Sequence, residues 1–353
     1  MGSEMSKLSI EYGIHAPLVH WWQHTYGELA PTMSSPEWVN WLKVATDEQA
    51  SALLAVSPEG VAALTEVARE QRVRDLVEHA HRLVVKAERV HGTETGHDIV
   101  ARCVLFSGGN DSTVLAHVMR DRVTHAVHAN TTIGIEQTRQ YVRDACEGWG
   151  LPLIEEVAPV SYRELVIDQG FPGPGHHFKM YQRLKERCLR QARKKLVQNP
   201  RKQRVIFLAG RRRNESARRA NVPEMEREGS VIWVSPLVHW TKLDMNTYRS
   251  MSARAGRPVP TNEVSELLHM SGECLCGAFA KRGELDEIEA WFPDVAAEIR
   301  DLEREVQEAG HPEKLCRWGW GTSQRDYADS IKNAKSGPLC STCVTSALDS
   351  IGR

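Results

Sequence analysis

The stretch that decides the fold runs from Ile99 to Val118 and reads Ile-Val-Ala-Arg-Cys-Val-Leu-Phe, then Ser-Gly-Gly-Asn-Asp-Ser-Thr, then Val-Leu-Ala-His-Val. The first part is a short apolar run, which predicts a buried strand, and the last part predicts a helix. The two glycines between them let backbone N–H groups approach a phosphate, and the helix N-terminus adds a positive dipole. We therefore predict that phosphate is bound by Ser107, Gly108, Gly109, Asn110, Asp111, Ser112 and Thr113.

Asp111 has a separate predicted role, because a carboxylate does not bind phosphate directly. It either caps the helix or holds Mg²⁺. A plain capped turn contains the same residue types, since Asp and Ser are good N-cap residues. The position of the loop after the first predicted strand of a sheet favours phosphate binding.

Further short apolar runs alternate with helical stretches along the chain. The predicted strands are Val123–Ala129, Leu151–Val157, Val205–Ala209 and Val231–Val234, and the predicted helices are Thr113–Arg120, Gln137–Trp149 and Met180–Val197. This alternation predicts an α/β fold with a doubly wound, mostly parallel sheet. Ligands of such sheets bind beyond the carboxyl ends of the strands, so the loops after Phe106, Ala129 and Ala209 are the predicted functional loops.

Three consecutive regions are expected. Residues 1–97 form a helical N-terminal region, in which Pro58-Glu59-Gly60 predicts a break. Residues 98–260 form the nucleotide-binding domain. Residues 261–353 form a C-terminal helical region with a cysteine site, including a helical pair that is broken near Pro293.

Five of the eight cysteines lie in the last eighty residues and include a C-x-C and a C-x-x-C pair. Thiolates in such close pairs suit Zn²⁺ or an iron–sulfur cluster. The predicted ligands are Cys274, Cys276, Cys340 and Cys343, with Cys316 as an alternative for one of the first pair. Together they would attach the end of the chain to the core. The other three cysteines are expected to pack as small apolar side chains.

The formal net charge of −1 hides an uneven distribution. Between Lys179 and Arg219 there are sixteen Lys and Arg residues against two acidic residues. A solvated helix face would explain this run, and so would a phosphate-rich partner such as a nucleic acid. The sequence leaves both readings open.

No run of eighteen apolar residues is present, and the first ten residues lack a basic start followed by an apolar core. These patterns predict a cytoplasmic protein without a membrane partner.

The Ser-Gly-Gly-x-Asp-Ser loop resembles the PP-loop of the N-type ATP pyrophosphatases, whose fold is adenine nucleotide alpha hydrolase-like. Two further segments resemble the phosphoadenosine phosphosulfate (PAPS) reductase branch of that superfamily. They are Gly210-Arg-Arg-Arg-Asn-Glu-Ser-Ala-Arg-Arg219, and Val259-Pro-Thr-Asn262 leading into Ser271-Gly-Glu-Cys-Leu-Cys276. The resemblance covers about residues 98 to 280.

This resemblance implies ATP and Mg²⁺ as ligands, with Asp111 and Ser112 among the catalytic residues. Guanidinium groups bind phosphate bidentately, so Arg211, Arg212 and Arg218 are further catalytic candidates, while Glu215 is expected to orient an arginine or cap a helix. By the same resemblance Asn130 faces the adenosine. Related proteins with this cysteine pattern carry a [4Fe–4S] cluster, which favours the cluster over Zn²⁺.

The chain departs from thioredoxin-dependent PAPS reductases at its C-terminus. Their Glu-Cys-Gly-x-His nucleophile has no counterpart, because the tail reads Leu339-Cys-Ser-Thr-Cys-Val344. The resemblance therefore points to adenylylation of an acceptor for sulfur insertion, as in DndC/SspD-type DNA phosphorothioation enzymes or tRNA thiolases. A nucleic acid is the expected acceptor and a cysteine desulfurase the expected sulfur donor.

Two alternatives stand beside this reading. One is a PAPS or adenosine phosphosulfate (sulfonucleotide) reductase that releases sulfite. The other is an inactive nucleotide-binding or nucleic-acid-binding subunit. The oligomeric state is open, a homodimer included.

Overall fold

Strand β1, Asp98–Leu105, lies inside a six-stranded sheet. It pairs in parallel with β2, His125–Asn130, and with β4, Gln203–Leu208, while β2 pairs in parallel with β3, Leu153–Val157. The register places Val104 beside both Ala126 and Leu208. The strand order is β3-β2-β1-β4-β6-β5, where β5 is Met225–Glu228 and β6 is Val231–Val234. The predicted mostly parallel sheet is confirmed.

The structure is a computed structural model that describes residues 54–216 and 219–320. Its α-helices are α1 Pro58–Ala62, α2 Glu66–His91, α3 Asn110–Met119, α4 Glu136–Gly148, α5 Tyr162–Gln169, α6 His177–Tyr181, α7 Arg187–Leu196, α8 Lys242–Arg254, α9 Glu263–Leu268, α10 Glu284–Trp291 and α11 Pro293–Glu308. The predicted break near Pro293 is confirmed, because this proline opens α11 directly after α10.

Two helix predictions need correction. The predicted helix Met180–Val197 consists of α6 and α7 joined by a π-helical segment, Gln182–Glu186. The predicted break at Pro58-Glu59-Gly60 is present but lies slightly earlier: residues 55–57 are not helical, and Pro58 begins α1, because Ser57 caps that helix by accepting a hydrogen bond from the Gly60 N–H. A proline is tolerated at the first helical position, where its missing N–H has no intrahelical partner.

The chain separates into two compact units. The first unit combines residues up to Val90 with Gly210–Glu226 and Val234–Val259, and the second combines His91–Ala209, Arg227–Trp233 and the chain from Pro260 onward. Both units draw on separated stretches, whereas the three predicted regions are consecutive. The predicted boundaries at residues 97 and 260 stay a prediction.

Helix α2 contributes the apolar core of the first unit. Its buried apolar residues recur at helical spacing and are Ala68, Val73, Leu76, Ala80, Leu83, Val84 and Ala87. A buried ion pair accompanies them: Arg72 Nε lies 3.0 Å from Asp244 Oδ1, with side chains 4% and 0% exposed. Arg72 also donates to the backbone carbonyl groups of Leu54 and His239. Asp244 in turn forms a capping box with Thr241 at the start of α8.

In the second unit the sheet is covered on both faces. One cluster of buried side chains includes Cys103, Val127, Leu189 and Phe207. A larger cluster includes Ile135, Tyr162, Cys276 and Ile299, so the C-terminal helices pack on the same core as the cysteine motif. Within the described residues, no helix combines the length and apolar character that crossing a membrane requires.

Replacing Asp244 with alanine is expected to lower the free energy of unfolding by about 3–5 kcal/mol, because Arg72 would be left buried without its counter-charge. Urea denaturation followed by circular dichroism measures this change. The control is Arg74→Ala on α2, the helix that carries Arg72. Arg74 is exposed and pairs with Glu70 at 3.3 Å, so the expected loss of unfolding free energy is under about 1 kcal/mol. Equal losses in the two variants would contradict the stabilising role of the buried Arg72–Asp244 ion pair.

Candidate functional site

The glycine-rich loop closes tightly at the carboxyl end of β1. Gly108 has a φ of +77°, and a Cβ there would lie 2.7 Å from Thr138 Cγ2. Gly109 is the N-cap of α3, and the Ser112 hydroxyl donates to the Gly109 carbonyl at 2.9 Å. Ser112 Oγ also accepts from the Ser107 N–H at 3.3 Å. The loop thus has the strand–loop–helix geometry predicted for phosphate binding.

Asp111 lies in the first turn of α3 and is half-buried, while Ser112 and Thr113 are buried. The first N–H groups of any α-helix have no acceptor within the helix, so this turn can present donors to an anion. A carboxylate in the same turn can hold a cation beside that anion.

Asn262 connects the loop to the second motif. Its Nδ2 donates to the Gly108 carbonyl at 3.0 Å and to Thr138 Oγ1 at 3.1 Å. Its Oδ1 accepts from the Val264 N–H at 3.2 Å and so caps α9. One buried side chain therefore positions the glycine loop and starts the helix that precedes the cysteines.

The segment Ser271–Leu275 runs beside the loop that follows β2. The Ile135 N–H donates to the Gly272 carbonyl and the Leu275 N–H donates to the Ile133 carbonyl, both at 2.9 Å. Gly134 is required at this approach, because a Cβ there would lie 2.6 Å from the Glu273 carbonyl oxygen. The cysteine motif is thereby attached to the carboxyl end of the sheet.

Glu273 is the buried centre of this attachment and is 1% exposed. Its Oε1 accepts from the Thr131 N–H at 2.8 Å, and its Oε2 lies 3.1 Å from His128 Nε2 and 3.4 Å from Arg139 Nε. Burial opposes protonation of His128, but the hydrogen bond to Glu273 and the charge of that carboxylate dominate and raise the pKa of His128. From the sequence, Glu273 is one member of a motif, and His128 is not predicted as a site residue. The one signal available was an acidic residue directly before the C-x-C pair.

Asn130 is the last residue of β2 and so lies at the carboxyl end of the sheet, where ligand contacts are predicted. Its Nδ2 donates to Glu155 Oε1 at 3.1 Å, and its Oδ1 accepts from the Thr132 N–H at 3.0 Å. The hydrogen bond from Arg143 is the main reason that the pKa of Glu155 is lowered. The predicted contact of Asn130 with adenosine stays a prediction.

Cys274 and Cys276 lie next to each other. The hydrogen bond with the Cys276 thiol lowers the pKa of Cys274 to about 6, with burial opposing this change and the charge of Lys185 adding to it. The thiolate form is the one that binds metal ions, so this pair suits metal coordination. Cys316 is buried in its own turn, where its thiol donates to the His311 carbonyl at 3.4 Å.

Among residues 54–216 and 219–320, these three cysteines do not bring three thiol groups together. Cys340 and Cys343, the other two predicted ligands, lie outside the described residues. The last described residues nevertheless return to the motif, because Trp318 Nε1 donates to the Leu275 carbonyl at 2.7 Å. Leu275 is the residue between the two cysteines.

The arginine segment belongs to the first unit. Arg211 is 4% exposed; its Nε donates to Ser235 Oγ at 2.9 Å and its Nη1 lies 2.6 Å from Glu226 Oε1. Arg212 is buried as well. The expectation that Glu215 orients an arginine is confirmed by its ion pair with Arg219. Arg218 lies outside the described residues.

A comparison with protein families matches residues 101–255 to the family described as Phosphoadenosine phosphosulfate reductase domain. Among curated proteins, none matches the chain. The solved structures give weak similarities. A Candida auris phosphoadenylyl-sulfate reductase in complex with phosphate is 19% identical, with 60% of this chain and 92% of that chain covered and a TM-score of 0.37.

Two other solved structures are similar to the same degree. The U34-tRNA thiolase NcsA from Methanococcus maripaludis, with its [4Fe–4S] cluster, is 14% identical over 76% of this chain and 91% of that chain, with a TM-score of 0.32. The Candida glabrata FMN adenylyltransferase with FAD and pyrophosphate is 10% identical over 59% of this chain and 64% of that chain, with a TM-score of 0.34.

The predicted binding of ATP to the glycine loop can be tested at Asn262. Replacing Asn262 with aspartate is expected to weaken that binding by about tenfold, because it removes the donor to the Gly108 carbonyl and places an oxygen against it. The helix cap is kept, since an aspartate oxygen still accepts from the Val264 N–H. Binding is measured by isothermal titration calorimetry with a non-hydrolysable ATP analogue. The control is Asn199→Asp, an exposed turn residue, which should bind as the wild type does; equal affinity in Asn262→Asp would refute the positioning role.

Proposed function

Because residues 101–255 carry a PAPS reductase-family domain, we propose that this protein is an ATP pyrophosphatase that activates an acceptor by adenylylation for sulfur insertion. The loop Ser107–Thr113 binds the ATP phosphates, with Mg²⁺ held by Asp111. An oxygen of the acceptor attacks the α-phosphate, pyrophosphate leaves, and a sulfur nucleophile then displaces AMP. A cysteine desulfurase is the proposed sulfur donor.

One observation carries this proposal: the nucleotide loop and the C-x-C pair share one hydrogen-bonded scaffold. Asn262 bonds to the Gly108 carbonyl, and twelve residues later Cys274 follows the buried Glu273. Thr138 joins both parts, since its hydroxyl accepts from Asn262 and donates to the Ser271 carbonyl at 2.7 Å. A protein that only bound a nucleotide would not need thiols at this place.

The loop would act by electrostatics. Backbone N–H groups and the helix dipole stabilise the charge that develops on the phosphates, and Asp111 holds the cation beside them. Arg211 is already paired with Glu226, so we assign it to the support of the first unit. Arg212 and Arg218 stay the proposed phosphate-binding arginines.

The cysteines fit an iron–sulfur cluster, because Cys274 is readily deprotonated and Cys276 adjoins it. Cys340 and Cys343 would complete the set. The chain between Trp320 and Cys340 can span roughly 65 Å when extended, so reach does not limit this pairing. A cluster bound there would supply an iron site that handles sulfur, and Zn²⁺ is the alternative occupant.

A nucleic acid is the proposed acceptor, and the surface of α7 supports it. The predicted basic run divides in the structure: Arg204, Arg211, Arg212 and Arg219 are buried, whereas Arg187, Arg190 and Lys194 are exposed along one side of α7. Residues three and four positions apart share a helix face. We name these three exposed residues the α7 stripe. Its spacing suits contact with successive phosphates.

Replacing Asp111 with alanine is expected to lower pyrophosphate release from ATP by about a hundredfold or more, because a metal ion on the phosphates is worth several kcal/mol. Pyrophosphate is measured with anaerobically purified protein, ATP, Mg²⁺ and DNA or tRNA. The matched control is Asp121→Ala, which removes an exposed carboxylate just beyond α3 and should leave turnover unchanged.

Further measurements on the same protein separate the alternatives. Sulfite release from PAPS or adenosine phosphosulfate with a reductant, in the absence of ATP, would establish a sulfonucleotide reductase instead. Intact ATP after prolonged incubation with every acceptor, alongside salt-sensitive nucleic-acid binding, would establish an inactive subunit. Unchanged turnover in Asp111→Ala would refute the assigned phosphate site.

Replacing Arg187 and Lys194 together with alanine is expected to weaken binding to duplex DNA and to tRNA at low salt. Each lost phosphate contact lowers the slope of log affinity against log salt by about 1. Fluorescence anisotropy at several salt concentrations measures both quantities. The charge-matched control is Arg300→Ala with Arg304→Ala on the acidic helix α11; if both double variants lose affinity equally, the α7 stripe is not the binding surface.

A further inference from the structure

Three side chains that the proposed function does not use meet inside the first unit. They are His79 from the middle of α2, Glu224 from the segment before β5, and His239 from the segment before α8. Their ligand atoms, the two Nε2 atoms and one carboxylate oxygen, all lie within 4.8 Å of one another. His79 and His239 are both 2% exposed.

Both imidazoles point at the same oxygen. His79 Nε2 lies 3.1 Å and His239 Nε2 lies 2.9 Å from Glu224 Oε1. In a tetrahedral site with bonds of about 2.0 Å, neighbouring ligand atoms are about 3.3 Å apart. The two nitrogen–oxygen distances therefore need to lengthen by only a few tenths of an ångström, and the two nitrogen atoms already lie within 4.8 Å of each other.

The backbone around the three side chains is held in place. Arg72, two turns before His79 on α2, donates to the His239 carbonyl at 3.0 Å while paired with Asp244. The Glu224 carbonyl accepts from the Ser235 N–H at 2.8 Å. Rigid positioning of this kind lowers the cost of bringing three ligands to one ion.

The residue types of the three ligands also indicate which ion they would bind. Two histidines and one glutamate form the three-ligand set that catalytic Zn²⁺ sites use, with a fourth position left for water or substrate. Imidazole nitrogen suits Zn²⁺ and its neighbours among the transition metals and does not suit Mg²⁺ or Ca²⁺.

We propose that the first unit binds one Zn²⁺-class transition-metal ion through His79 Nε2, Glu224 Oε1 and His239 Nε2. Within the part of the chain that the structure describes, no fourth His, Cys, Asp or Glu joins this group. The ion links α2 to two chain segments that lie more than a hundred residues further along the sequence. This site is separate from the cysteine site in ligand type as well as in position along the chain.

The test titrates Zn²⁺ into full-length, anaerobically purified protein after treatment with a mild chelator, with bound iron and zinc counted throughout. The wild type is expected to take up one Zn²⁺ that His79→Gln and Glu224→Gln bind at least about a hundredfold more weakly, since loss of a direct ligand exceeds the cost of losing a supporting one. The matched control is His81→Gln, which removes a histidine of the same helix outside the group. Uptake by the cysteines would be the same in all four proteins, so equal uptake overturns the proposal.

A second measurement covers variants that fail to fold. Co²⁺ added to the wild type should give the absorption of a nitrogen- and oxygen-bound ion, and the chelator should lower the thermal unfolding midpoint of the wild type. A spectrum with only thiolate-to-cobalt charge transfer would show that the cysteines are the sole metal site, which also overturns the proposal.

Discussion

The second unit depends on a carboxylate that is buried beneath its functional loops. Glu273 accepts a hydrogen bond from the Thr131 N–H and faces His128 and Arg139, so its charge is balanced by groups from β2 and α4. A buried carboxylate without such partners costs several kcal/mol. If the segment that carries Glu273 left the sheet, the buried groups that face this carboxylate would lose their counter-charge. The position of Glu273 therefore also fixes the position of the C-x-C pair that follows it in the sequence.

Two consequences follow from this constraint. Cys274 and Cys276 lie at the carboxyl edge of the sheet, where the glycine loop also lies. The chain between the glycine loop and Cys274 is more than 150 residues long. Trp318 then brings the end of α11 and its following turn back to Leu275. The glycine loop and the C-x-C pair are thus held by one charge-neutralised core.

Much of this arrangement could be predicted from local sequence, because local sequence causes it. The parallel sheet, the glycine loop and the start of α3 follow from apolar runs and glycine positions. The Glu273–His128 contact could not be predicted, since it joins residues 145 positions apart and neither residue has a distinctive neighbour pattern. The ion pair of Arg211 with Glu226 could not be predicted either, because the contact depends on the fold and sequence spacing does not indicate it.

Because each unit is built from separated stretches of the chain, the parts of the first unit are synthesised at different times. Arg72 and Asp244 are 172 residues apart, and the stretch between them includes all of β1 to β6. Synthesis at about 5–20 residues per second separates their emergence from the ribosome by roughly 10 to 30 seconds. During that interval α2 exposes an apolar face and a cationic side chain whose partners do not yet exist. The nascent N-terminal region must therefore remain unassembled, or be held by another molecule, until the chain beyond the sheet has been made.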